Sequence, residues 1–161
     1  MPLKLLDSTL IPLRDKLVDE RGYLAESWVA WFGRIPSTLA AIPDILNTVT
    51  LSAQAASITA TDFSGTTLLA GTYEVGYYAR ISVPDGAASS LIVTIGWTDG
   101  GVAQSYAGAA IVGNTTGSNQ SGYLLIRCDG ATTVTYATTR VSGGDDAMRY
   151  SLDLVIKKVR V

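Results

Sequence analysis

The sequence predicts a mainly β protein: an antiparallel, jelly-roll-like β-sandwich preceded by a short N-terminal arm and helix. Three observations carry this. From Thr48 onward, apolar residues recur at every second position in runs rich in Thr, Val, Ile and Tyr, the period of strands with one buried face. Clusters of Gly, Asp and Pro separate these runs. Charge is uneven: residues 1–47 hold 11 of the 26 charged side chains, so a boundary is expected near Asn47, between 1–47 and 48–161.

Residues 1–20 read as an extended arm, because Pro2 and Pro12 interrupt any continuous helix. Residues 23–35 read as a helix. Leu24, Trp28, Trp31, Phe32 and Ile35 fall on one face of a 3.6-residue period, after Gly22 and ahead of a stop expected at Gly33 and Pro36. Two of the three tryptophans and one of the two phenylalanines sit in this stripe. Such side chains either pack on their own domain or anchor a partner, and their concentration favours the partner. Residues 37–47 read as a linker stiffened by Pro43.

The β region then alternates in turn. Val49, Leu51 and Ala53 come first, then Tyr73 to Val83, Leu91 to Trp97, Val134 to Thr138 and Tyr150 to Ile156. Ala70-Gly71, Pro84-Asp85-Gly86, Asp99-Gly100-Gly101, Gly113-Asn114, Asp129-Gly130 and Gly143-Gly144-Asp145 mark the turns. About eight antiparallel strands without intervening helices suit a jelly roll. From Val102 to Ile126 there is no charged residue. An edge strand without Lys or Glu is poorly protected against pairing with another chain, so this stretch is expected against a neighbouring subunit, with 113–122 as a neutral loop.

The 161 residues make one domain plus at most a small appendage, and 16% charge is low against the ~25% of soluble domains. Few charges and 47% hydrophobic residues suit a protein that works inside an assembly. The chemistry of catalysis is sparse. No histidine is present, which removes Ser-His-Asp and Cys-His nucleophiles and His-based metal sites. The acids of the β region are Asp62, Glu74, Asp85, Asp99, Asp129, Asp145, Asp146 and Asp153, mostly in turns, so neither an enzyme nor a cofactor is expected. Asp145 and Asp146 read as a solvated turn rather than a calcium site. The single cysteine, Cys128, reads as a buried, inert thiol. Net charge of −2 gives no footprint for nucleic acid, and no apolar run suggests a signal peptide or a membrane span.

Pro12-Leu13, Leu17-Val18-Asp19-Glu20-Arg21-Gly22 and Trp28-Val29-Ala30-Trp31-Phe32 resemble the N-terminal segment of tailed-bacteriophage structural proteins, with Arg14-Asp15-Lys16 inserted between Leu13 and Leu17. Leu69 to Tyr78, Trp97 to Gly101 and Tyr150 to Leu154 are similar to β domains of phage and prophage reading frames. They are also loosely similar to trimeric jelly rolls of the complement and tumour-necrosis-factor class. The resemblance implies a virion protein assembled in the host cytoplasm, as tail fibre or adaptor or as capsid decoration (head fibre). It also implies a homotrimer whose partners are itself and other capsid or tail proteins. Leu24, Trp28, Trp31, Phe32 and Ile35 would be its docking residues. The alternative is a carbohydrate-binding module for a host surface glycan, using Tyr78, Tyr106 and Tyr123 as a platform.

Overall fold

Each of the five alternating runs forms a strand, further strands form between them, and the pairing is nested. The computed structural model describes residues 16–39, 44–144 and 147–159, with the backbone alone for 33–39. The strands are β1 (Asp44–Gln54), β2 (Ile58–Asp62), β3 (Gly71–Val83), β4 (Ser90–Asp99), β5 (Val102–Ala107), β6 (Ile111–Val112), β7 (Asn119–Cys128), β8 (Thr135–Val141) and β9 (Arg149–Val159). One sheet has the order β1-β9-β3-β7, and the other β2-β8-β4-β5, with the two-residue β6 on the start of β4. β1 pairs with β9, β2 with β8, β3 with β7 and β4 with β5, all antiparallel. The chain is thus one long hairpin folded over into two sheets, which is the jelly-roll topology. Eight strands carry that topology, and β6 is an addition the sequence did not announce.

The inward set of each strand makes the core. Tyr73, Val75, Tyr77, Ala79 and Ile81 of β3 face Leu91, Val93 and Ile95 of β4, with Tyr150, Leu152, Leu154 and Ile156 of β9 beside them; all are buried. Burying such a side chain is worth roughly 1.5–3 kcal/mol. All 20 buried apolar residues lie between Phe63 and Ile156, so among the described residues the driving force for folding sits in the sandwich. The buried tyrosine hydroxyls of β9 and β3 find partners: Tyr150 bonds Thr138 Oγ1 at 2.6 Å and the Ala56 carbonyl at 2.8 Å, and Tyr73 donates to the Leu69 carbonyl at 2.7 Å. Cys128 is buried as expected, and desolvation, then Asp129 and Asp99, push its thiol pKa up. Asp99-Gly100-Gly101 makes the β4–β5 hairpin. Both glycines are left-handed (φ +59° and +74°), as a two-residue turn of type I′ requires, and Gly101 N–H donates to Asp129 Oδ2 at 2.7 Å.

The chain divides into two units, Met1–Ile42 and Pro43–Val161. The charge shift pointed to Asn47, yet Asp44, Ile45 and Asn47 already pair with β9, and Asn47 Nδ2 donates to the Phe63 carbonyl at 2.7 Å. In the first unit, helix α1 spans Glu26–Leu39. It starts later than residue 23 because 17–25 form a tight loop. There Asp19 Oδ1 accepts the N–H groups of Arg21 and Tyr23, both at 2.9 Å; Gly22 is left-handed, and Val18 bridges Leu24. The helix also runs through Gly33 and Pro36, since one proline removes one i→i−4 bond and kinks a helix without having to end it. The neutral loop expected at 113–122 ends early: Asn119 to Gly122 are strand, paired with Arg80 to Tyr77.

Candidate interaction surfaces

The first surface is the aromatic knot of α1. Trp28, Trp31 and Phe32 stand at i, i+3 and i+4, which places them on one flank. Their rings pack on one another, with centroids 5.8 Å apart for Trp28–Trp31, 6.0 Å for Trp28–Phe32 and 5.0 Å for Trp31–Phe32. Leu24 is not on the helix but in the loop before it, and the side chain of Ile35 lies outside the described residues. From Lys16 to Phe32 no residue is buried; Tyr23 is 72% exposed, Val29 55%, Leu24 49% and Phe32 45%. The indole N–H of Trp31 is covered and finds no acceptor among the described residues, a condition that costs about 1–3 kcal/mol.

The second surface is the outer face of the β1-β9-β3-β7 sheet. Register sets Gly76 beside Tyr123 on one side and Val155 on the other, with Val155 beside Thr48. In the next row Tyr78 lies between Ser121 and Asp153, and Asp153 beside Thr50. These residues line a hollow of about 400 Å³. Tyr106 is elsewhere. It sits on β5 opposite the inward Ile95 and hydrogen-bonds the buried Tyr77, so it takes no part in a platform with Tyr78 and Tyr123.

The third surface is the outer face of the second sheet. Thr94 and Gly96 of β4, Thr135, Ala137 and Thr139 of β8, and Ala103, Ser105 and Ala107 of β5 share it, by register opposite to the inward Val93, Ile95 and Tyr136. All are small and uncharged. β5 closes this sheet at its edge with every residue exposed, while β7, whose one charge is Arg127, edges the other sheet.

The acids separate sharply. Asp62 accepts from the N–H and hydroxyl of Ser64, and Glu74 pairs with Lys157 at 3.3 Å. Asp99 lies 3.8 Å from Arg127, and Asp129 holds Gly101. Asp85, placed by its Pro-Asp-Gly context in a turn, is buried at 4% exposure and accepts from the Ser142 hydroxyl and the Ala87 N–H. Asp153 alone among the described acids of the sandwich has no hydrogen-bond or ion-pair partner among the described residues. Asp145 and Asp146, raised as a calcium pair, lie outside the described residues. Among the described residues no cluster of three His, Cys, Asp or Glu is arranged to hold a metal, and no helix is long and apolar enough to cross a membrane.

No protein-family model matches the sequence, and no curated protein matches it. Among solved structures the chain is similar to PRD1 vertex protein P5, at 13% identity and a TM-score of 0.44, over 73% of this chain and 99% of that one.

Proposed function

We propose that this chain is a non-enzymatic structural protein of a bacteriophage virion, which docks through its N-terminal unit and presents a self-associating jelly-roll head as tail fibre or adaptor or as capsid decoration. One observation carries the docking: the described part of the N-terminal unit holds a three-ring aromatic cluster and several exposed apolar side chains, yet buries none of them. Apolar surface of this kind is stable in water at a cost that a partner pocket removes, and each large aromatic contributes about 2 kcal/mol or more when fully buried there. The resemblance of Leu17 to Gly22 and Trp28 to Phe32 to phage attachment segments supports the choice of a virion as the partner. Asp19 and Gly22 of that segment build the loop that leads into the helix.

The head supports self-association in a different way. Its β5 edge carries none of the charges that keep sheet edges apart, which supports self-association, and the resemblance to trimeric jelly rolls implies that the assembly is a homotrimer.

The test is rebinding to particles stripped of this protein, imaged by electron microscopy. The full chain is compared with a chain lacking residues 1–42, which keeps all of β1, and with Trp28→Ala/Trp31→Ala/Phe32→Ala. Return of density with the full chain only, the head's melting temperature being the same in all three, is the expected result, and its position separates shell from tail. Equal rebinding by the truncated chain, or none by the full chain, overturns the proposal.

A further inference from the structure

We propose that the hollow beside Tyr123, on the outer face of the β1-β9-β3-β7 sheet, is a binding site for a neutral pyranoside. It belongs to Pro43–Val161 alone and does not rest on the docking proposal.

The ring of Tyr123 is held in place without being buried. A Cβ on Gly76 would come within 2.9 Å of Tyr123 Cε1 and 3.0 Å of Val155 Cγ1, so the ring lies across bare backbone and against Val155. The side chain is nevertheless 75% exposed. An aromatic ring pinned on one side and open on the other is preorganised for stacking, because the cost of ordering it is already met by folding. Tyr78 stands in the next row of the same face, and both tyrosines line the hollow.

The polar groups decide the ligand class. Asp153 stands on the inner strand β9, flanked by β1 and β3, in a position where acids are disfavoured, and it has no partner of its own among the described residues. No cation lines the hollow; Thr48, Thr50 and Ser121 supply hydroxyls around the carboxylate. An unpaired carboxylate repels phosphates, sulfates and sugar acids. It accepts hydrogen bonds from hydroxyls, as charge-assisted bonds stronger than neutral ones. A ligand with an apolar C–H face for the ring and several hydroxyls for Asp153 and the Thr/Ser side chains is a neutral sugar ring. The size of the hollow falls in the ~300–1,000 Å³ range of small-molecule sites. A quaternary ammonium also suits tyrosines beside a carboxylate, but it has nothing to offer the hydroxyl row.

The experiment is saturation-transfer NMR on the full chain with methyl glycosides of galactose, glucose and mannose, against methyl glucuronide and choline. At least one neutral glycoside is expected to bind saturably at millimolar concentration, with transfer strongest to the C–H protons of one ring face. Asp153→Asn is expected to weaken it about tenfold, the loss of a charge-assisted bond. Tyr123→Ala is expected to abolish it, and Tyr123→Phe, which still covers Gly76, to retain it; that pair separates lost stacking from lost folding. Absence of saturable binding by all three neutral glycosides overturns the proposal, as does tighter binding of glucuronide or choline. So does wild-type affinity in both Asp153→Asn and Tyr123→Ala. Protection of Tyr123 from chemical modification in the native oligomer would make this face a subunit contact and equally overturn it.

Discussion

Two glycine–tyrosine steps lock the strands β3 and β7 together. Gly76-Tyr77 runs antiparallel to Gly122-Tyr123, so Gly76 pairs with Tyr123 and Tyr77 with Gly122. One pair faces out and the other faces in. On the inside, a Cβ at Gly122 would sit 2.5 Å from Tyr77 Cε1, against a ring that is 4% exposed and cannot step aside. Gly122→Ala is therefore expected to cost about 1–3 kcal/mol by overpacking, read as a lower urea midpoint at unchanged slope. Asp85 offers a second case. Its carboxylate ties the turn after β3 to Ser142 after β8, away from water. Asp85→Ala strands the Ser142 hydroxyl and is expected to lower stability by about 1–3 kcal/mol in the same titration, while Asp129→Ala, in the exposed turn after β7, costs less. The Pro-Asp-Gly signal correctly marks a turn at Asp85, but whether a turn is covered depends on which other loop lands on it.

Among the elements, β5 is the one whose charge pattern has the clearest consequence. Six exposed residues without a charge form the edge of the second sheet. Ser105 faces outward beside Gly96 in the middle of the small, neutral face. Ser105→Lys places an ammonium there and is expected to convert the assembled species to monomer in light scattering at micromolar concentration, with the melting transition of the head retained. An unchanged mass would move the self-association surface elsewhere. β7 was legible only in its second half. Tyr123 to Ile126 are continuously apolar, and it is their burial in the sheet that alternates, whereas Asn119-Gln-Ser-Gly122 carry no apolar signal. They are strand because β3 continues opposite them and their backbone groups complete its ladder. Helix α1 was legible in its aromatic spacing, but its start was hidden by the Asp19 loop, whose hydrogen bonds join residues two and four apart.

At the scale of the sandwich, the interior holds several groups that ionise only at high pH. Desolvation is the first cause in each: it raises the thiol of Cys128 and the hydroxyls of Tyr73 and Tyr150, and it pushes Tyr77 up to about 12, with its bond to Tyr106 adding to the rise. The sign follows from linkage. A folded-state pKa above the unfolded one means that the native state holds its proton longer, so the unfolded state gains on it as pH rises. These groups leave stability unaffected below the unfolded pKa values. Above them stability falls, with the Tyr77 contribution lost between an ordinary value of 10.0 and about 12. The urea midpoint is expected to decline through that window in wild type and to decline less in Tyr77→Phe, compared with the neutral-pH midpoint of each. An equal slope in both would place the alkaline transition in other groups.

The sequence by itself determined what depends on neighbours along the chain. The period-two runs, the Asp-Gly-Gly hairpin, the aromatic stripe at helical spacing, and the absence of histidine all survive in the structure as strands, a type I′ turn, a ring cluster and a histidine-free interior. Only the tertiary structure decided what depends on register between distant strands. Alternation says that Tyr77, Tyr78, Tyr106 and Tyr123 occupy one face or the other, but not which partner each meets. Pairing sends Tyr106 toward Tyr77, lays Tyr123 over Gly76, and sets Tyr78 beside Asp153, some 75 residues further along the chain. It also engages every other described acid of the sandwich and leaves Asp153 without a partner. Side-chain period is a local property of backbone geometry, whereas a site is a coincidence of rows. A shift of one residue in any strand pairing would turn each of these side chains to the opposite face and dissolve the site without altering a single local signal.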